Sequence, residues 1–222
     1  MSNLMIVHTG LHRRMKETLM SNERPFSQAS ENNKAPILGE LREWLASSHA
    51  VLELGSGTGQ HAVHFAPELA HLIWHTSDLP PAHAGINAWL AHMPAGNLRA
   101  PRIIDVRCEA WHQPVSALAV DAVYSANTAH IMHWDAVRSM FAGVGQVLPI
   151  DGLFLLYGPF CYAGEHTSDG NRAFDASLRA QDPGMGIRDR HALDGLAADA
   201  GLVLAADQAM PANNRLLIWR RQ

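Results

Sequence analysis

VLELGSGTGQ, residues 51–60, decides the fold. Val51 to Leu54 is a short apolar run with one acid, Glu53, near its end. Gly55, Gly57 and Gly59 follow at alternating positions, and a helical-looking segment opens at Gln60. Strand, glycine turn and helix in succession form the first crossover of a nucleotide-binding α/β sheet. The glycines allow a tight turn and a close approach of ligand to main chain.

The spacing separates two ligand classes. A dinucleotide site prefers G-x-G-x-x-G, with a pyrophosphate at the helix N-terminus. Here the pattern is E-x-G-x-G-x-G, and a carboxylate at Glu53 would oppose a phosphate. It suits a ligand bearing an ammonium or sulfonium group. S-adenosylmethionine (SAM) carries both and no phosphate. The stretch resembles motif I of the class I SAM-dependent methyltransferases.

Outward from the turn, the chain alternates short apolar runs with amphipathic segments. Phe26–Pro36 reads as a loop rich in Ser, Asn and Pro, and Ile37–Leu45 as a helix before the first strand. Further strands are expected at 72–76, 102–104, 120–124 and 153–157, with helices near 59–70, 82–92, 135–148, 171–179 and 191–200. A hairpin over 202–208 and 216–220 closes the chain. The expected architecture is Rossmann-like: a mostly parallel seven-stranded sheet, a C-terminal antiparallel hairpin, and helices on both faces. Residues 1–25 read as a weakly ordered arm and 26–222 as one domain. Gly164–Asp175, glycine-flanked and polar, reads as a lid or binding loop.

Ligands of open α/β sheets bind beyond the carboxyl ends of the strands. The cofactor side is therefore expected to comprise Glu53, Gly55, Ser56, Gly57, Gly59, Gln60 and His61. Asp78 and Leu79 after the second strand, Asp105 and Val106 after the third, and Asn127 after the fourth complete it. Asp78 would accept from the ribose hydroxyls and Asp105 from the adenine amino group. His130 and His133 follow the fourth strand three residues apart, so one helical turn could aim both at the cleft. Histidine is tuned for proton transfer near neutral pH, and His130 is the preferred base. Trp134, Tyr157, Phe160 and Phe174 are candidate walls of an apolar acceptor pocket, with Asn171 and Asn213 as polar contacts.

Composition bounds the rest. The chain has 222 residues, 47% hydrophobic and 17% charged, with a net charge of -4, enough for one full core. No basic excess marks a nucleic-acid-binding face. No apolar run nears the roughly 20 residues of a bilayer span. Cys108 and Cys161 form no CxxC pair, so a reduced, cytoplasmic setting is the simple reading. Fourteen histidines fall into no HExxH or Cys/His cluster, and no metal is expected.

From about Phe26 onward the chain resembles an uncharacterised methyltransferase-like family of bacteria and animals. The carrying stretches are NKAPIL (33–38), VLELGSGTGQHAVHFAP (51–67), SDLPPAH (77–83), SAN and HI (125–127, 130–131), LFLLYGPF (153–160), TSDGNRAFDASLRAQDP (167–183), GIRD (186–189) and MPANN (210–214). The resemblance implies a class I fold and SAM binding at Glu53, Gly55, Gly57 and Asp78, without fixing the acceptor. Two departures stand out. Asn32 replaces an arginine usual in the family, and Met132-His133 replaces Ser-Pro before Trp134. The expected activity is methyl transfer to a small-molecule acceptor, first to oxygen, with N- or S-transfer open. A monomer or homodimer with no nucleic-acid or membrane partner is expected. A SAM-binding regulatory protein without turnover and an NAD-type oxidoreductase are the competing readings.

Overall fold

The computed structural model describes residues 24–222. The expected arm therefore lies outside the described residues, except for Arg24 and Pro25. Arg24 stacks 5.3 Å over the Trp89 ring, and Trp89 Nε1 donates to the Pro25 carbonyl at 2.7 Å.

One sheet organises the chain. β1 (Ala50–Leu54) is buried along its whole length, as a parallel strand covered on both faces must be. It runs parallel to β2 (Ile73–Asp78) on one side and β4 (Ala122–Ala126) on the other. β3 (Leu98–Ile103) pairs with β2, and β5 (Leu153–Gly158) with β4, again in parallel. Near the C-terminus β9 (Leu202–Met210) and β10 (Asn214–Arg221) form the hairpin. β10 inserts antiparallel between β5 and β9, giving the order β3-β2-β1-β4-β5-β10-β9. The expected seven-stranded, mostly parallel sheet with its closing hairpin is what the chain forms.

The helices are α1 (Gln28–Trp44), α2 (Gln60–Glu68), α3 (His83–His92), α4 (Gln113–Ser116), α5 (Trp134–Val147), α6 (Asp169–Gln181) and α7 (Arg190–Asp199). Strand side chains alternate between two cores, following the period of two. Val51, Tyr124, Leu155 and Ile218 meet Ile37 and Leu41 of α1 and Phe65 of α2. Leu52, Val123, Phe154 and Trp219 meet Val137 and Phe141 of α5 and Leu193 of α7. On that second face Phe141 packs edge-on to both Phe154 and Trp219, with centroids 5.1 and 5.2 Å apart. No described helix is long and apolar enough to cross a membrane.

Two expectations are corrected. Residues 28–36 are not loop but the first half of α1. Ser27 caps the helix by accepting from Ser30 N at 3.2 Å, and Gln60 Oε1 accepts from Ser27 N at 2.6 Å. Pro36 sits inside the helix and only removes a bond to the Asn32 carbonyl, on an exposed stretch where water can replace it. Gly164–Asp175 is not an irregular loop, although its Asn171 and Phe174 do line the cleft. It holds β7 (Glu165–His166) and the start of α6, capped by Ser168 through Asn171 N at 3.1 Å. β7 joins β6 (Phe160–Tyr162) and β8 (Arg188–Asp189) in a second, three-stranded sheet too short to leave a periodic signal.

Helical glycines give predictions of opposite sign. A Cβ at Gly39 in α1 would meet nothing within 4 Å, so Gly39→Ala should stabilise by up to about 1 kcal/mol. A Cβ at Gly145 in α5 would overlap the Ala200 carbonyl beyond α7, and one at Gly143 would overlap the Trp111 ring. Alanine at either should destabilise by roughly 1–3 kcal/mol despite its better helix propensity. Urea midpoints of the three variants check this ordering.

Candidate active site

The strand order reverses between β1 and β4, and a cleft of about 1250 Å³ opens at that point, beyond the strands' carboxyl ends. The glycine turn forms its floor. Gly55, Gly57 and Gly59 all have left-handed backbones, with φ of +72, +58 and +89°. Their tasks differ. A Cβ at Gly55 would lie 2.7 Å from Thr128 Cγ2, and one at Gly59 would lie 3.1 Å from the Ile86 backbone. A Cβ at Gly57 would meet nothing within 4 Å. Gly55 and Gly59 thus let the turn pack, and Gly57 leaves space on the cleft.

Asp78 holds the turn from the end of β2. Its Oδ2 accepts from Gly57 N at 2.7 Å and its Oδ1 from Leu79 N at 2.7 Å. A carboxylate has about four lone-pair sites, so about two remain for a ligand. Further along, Asp105 is clasped by Arg107, with Nε at 2.8 Å and Nη2 at 2.7 Å, which holds its carboxyl below its ordinary value.

Glu53 does not line the cleft. It points into the core shared with Trp74 and Tyr124, because the pleat sends it to the same face as Val51. Ser56 Oγ and Trp74 Nε1 donate to its Oε2 at 2.9 and 3.1 Å. Burial pushes its carboxyl up to about 7. Its place is under the turn, fixing Ser56, whose Oγ in turn accepts from Ser77 N at 3.1 Å.

Just beyond β4, Asn127 has a left-handed backbone at φ +58° and donates from its N–H to the Tyr157 carbonyl at 2.9 Å. The turn that follows carries His130, buried with its ring edge-on to Phe174 at 5.3 Å. Burial, then the nearby Arg188, pushes His130 down to about 4, so its imidazole is neutral near pH 7. Its ring nitrogens have no hydrogen-bond partner among the described residues. Arg188, which sequence reasoning does not single out, holds this turn. Its guanidinium donates to the carbonyls of Ala129 (3.0 Å), Met132 and Gly184 (2.8 Å). Gly186 N adds a bond to the His130 carbonyl at 2.9 Å. His133 also lines the cleft, but at its rim and largely exposed, with Nε2 2.8 Å from Asp182 Oδ2.

The other expected residues divide. Gly55, Ser56, Gly57, His61, Asp78, Leu79, Asp105, Val106 and Asn127 line the cleft, as do Tyr157, Asn171 and Phe174. Gly59, Gln60, Trp134, Phe160 and Asn213 do not, like Glu53. Gln60 is turned to the α1 cap, accepting from Ser27 N and Thr58 Oγ1. Phe160 is buried in the core that holds Phe141. Trp134 packs against that core under Arg188, 5.8 Å away. Asn213 contributes only its carbonyl, to Asn171 Nδ2 at 3.0 Å. Residues missed from the sequence include Asn33, Met132, Met140, Met185 and Asn214. The quoted stretches NKAPIL and MPANN hold two of these, and nothing in the sequence marks the methionines.

The fold is the Rossmann-like methyltransferase fold. An O-methyltransferase family protein from Burkholderia thailandensis aligns with a TM-score of 0.73 at 17% identity, over 85% of this chain and 56% of that one. Human N-acetylserotonin methyltransferase, solved in complex with SAM, gives 0.71 at 12%, over 87% and 53%. An O-methyltransferase family 2 protein from Planctomyces limnophilus, in complex with apigenin, gives 0.68 at 13%, over 80% and 52%. The chain spans just over half the length of these proteins. Residues 24–221 match the family described as Protein of unknown function (DUF938), and the chain belongs to that family.

Buried titratable groups predict a pH profile of stability. Burial pushes His61, His75 and His130 each down to about 4 from an ordinary 6.5. Such a group binds fewer protons folded than unfolded, so its contribution is present above pH 6.5 and is lost as pH falls toward 4. The loss is on the order of 3 kcal/mol for a fully buried ring. Glu53, raised to about 7 from 4.5, acts in the opposite sense: its contribution is present below pH 4.5 and is lost as pH rises through 7. The histidines outnumber it, so thermal stability should peak near pH 6.5 and fall on acidification. Glu53→Gln should flatten the decline above the peak, as melting curves across pH would record.

Proposed function

We propose that the chain binds SAM in this cleft and methylates a small-molecule acceptor, with a hydroxyl oxygen as the first choice. The observation that carries the reading is the Asp78–Gly57 bond. It presents spare carboxylate lone pairs beside an open glycine at the switch point, an acceptor set that fits the donating hydroxyls of a ribose diol. The likeness to a methyltransferase solved with SAM and to a protein solved with S-adenosylhomocysteine supports the cofactor assignment.

When bound, SAM supplies a methyl group on a sulfonium sulfur, which keeps the bond's electrons as the methyl leaves. The chain's part is binding, alignment and proton handling. Asp78 would accept from the ribose hydroxyls. Asp105, held by Arg107, would accept from the adenine amino group. Ser56 and the Gly55–Gly57 backbone border the methionine end. His130 and the Asn127 amide sit together at the end of β4: a Cβ on Gly158 would be 3.7 Å from His130 Nδ1 and 4.0 Å from Asn127 Oδ1. Asn127 orients the acceptor, and neutral His130 takes its proton as the new bond to carbon forms.

A second reading has one observation behind it. Burial makes His130 a weak base, which suits an acceptor nitrogen or sulfur attacking through its own lone pair.

His130→Ala should leave SAM affinity, measured by calorimetry, nearly unchanged while lowering turnover by about 10²–10⁴-fold. Asp78→Ala should weaken SAM binding by about tenfold or more. Equal turnover in the His130 variant would remove that residue from the mechanism. Absence of SAM binding in the parent protein would remove the enzyme reading.

A further inference from the structure

We propose that the acceptor side of the cleft is built for an uncharged, planar molecule with polar groups along one edge. The inference rests on the cleft being a methyl-transfer site and names the class of acceptor. Charge and neutrality are segregated along the sheet. Asp78, Asp105 and Arg107 lie beyond β2 and β3, whereas Tyr157 and Asn214 lie at the ends of β5 and β10. β2 and β10 are four strand spacings apart, roughly 20 Å.

The far wall combines amides, hydroxyls and one ring. The Tyr157 hydroxyl lies near the side chains of Asn33 and Asn214. Asn33 Oδ1 lies 2.7 Å from His61 Nε2, and Tyr124 OH lies 3.4 Å from His61 Nδ1. Asn171 spends its amide hydrogens on Thr167 Oγ1 (2.8 Å) and the Asn213 carbonyl (3.0 Å), leaving its oxygen to accept. Phe174, in a T-shaped contact with His130, is 41% exposed and offers ring surface for stacking.

Every titratable group on this wall is driven to its neutral form. Burial lowers His61 and His130 to about 4 and raises Tyr157. The remaining carboxylates on the cleft are engaged elsewhere or solvated. Asp182 takes His133 Nε2 and Gly184 N, Asp78 takes two backbone N–H groups, Asp105 takes Arg107, and Asp135 is exposed near Arg138. Arg188, the cation nearest His130, lies behind the cleft lining with its guanidinium turned to backbone carbonyls, so an anionic acceptor seated here would lose its hydration with no cation on the wall to contact, and a cationic one with no free carboxylate, each costly in a dry pocket. A neutral acceptor loses only hydrogen bonds that the amides replace.

Three phenols of one size test this: neutral 4-hydroxybenzamide, anionic 4-hydroxybenzoate and cationic tyramine. Each is titrated into the protein with S-adenosylhomocysteine present and absent, with binding followed by ligand-observed NMR. The benzamide should bind at least about tenfold more tightly than either charged probe. Asn171→Asp or Asn214→Asp, made separately in case one fails to fold, should shift the preference toward tyramine. Equal affinities, a preference for a charged probe, no binding of any probe at millimolar concentration, or a preference that both Asp variants leave unmoved would each overturn the proposal. A parallel SAM titration keeps the readings apart, because loss of SAM binding with the neutral preference intact removes the enzyme reading alone.

Discussion

The bond from Gly57 N to Asp78 is the constraint on which the site depends. It ties the turn after β1 to the end of β2 at 2.7 Å, while Thr128 presses on Gly55 and Ile86 on Gly59. The end of β2, the helix α3 and the turn after β4 thus meet on one five-residue turn. The left-handed backbone at all three glycines is tolerable because no Cβ has to be placed there. Beneath the turn, Glu53 bonds Ser56 and Trp74, so the acid of the motif acts by holding the floor.

A second organising effect is the suppression of charge by burial. His61, His130 and Tyr157 stand around one end of the cleft, and all are held neutral for the same reason: the charged form would lose its water. The cost of neutral polar groups is met by bonding them to each other, as His61 to Asn33 shows. Charge is retained at the other end, where Asp105 has Arg107 and Asp78 has backbone N–H groups. One cleft therefore offers a polar, charged end and an uncharged end without any change of fold.

Arg188 illustrates a different use of a buried cation. It has no carboxylate partner and is held by three carbonyls, each in a turn with no helix or strand of its own to satisfy it. The guanidinium fork supplies donors in fixed directions, and that geometry sets where His130 sits. Trp134 lies beneath it as a packing surface, away from the cleft.

The sequence by itself determined the central strands β1, β4 and β5, the glycine turn and the carboxyl-end rim, because buried strands and glycine spacing are local signals that survive without neighbours, whereas the largely exposed β3 begins four residues before its expected start. Gly55, Gly57, Asp78, Asp105, Asn127 and His130 follow from those strands, and all line the cleft. Local signals misled where a residue's partner is remote. Ser, Asn and Pro at 26–36 carry turn chemistry, yet Ser27 caps α1 with help from Gln60, 33 residues away. Glu53, Phe160 and Trp134 were legible as special residues but not as inward-facing, because which side of a pleat or helix meets the core depends on what packs there. Which histidine is buried in the cleft, which one pairs with Asp182 on its rim, and that Asn33, Asn214 and Arg188 belong to the site were decided only by the tertiary structure. These residues come from α1, β10 and β8, and only folding brings those elements to the end of β4 and β5.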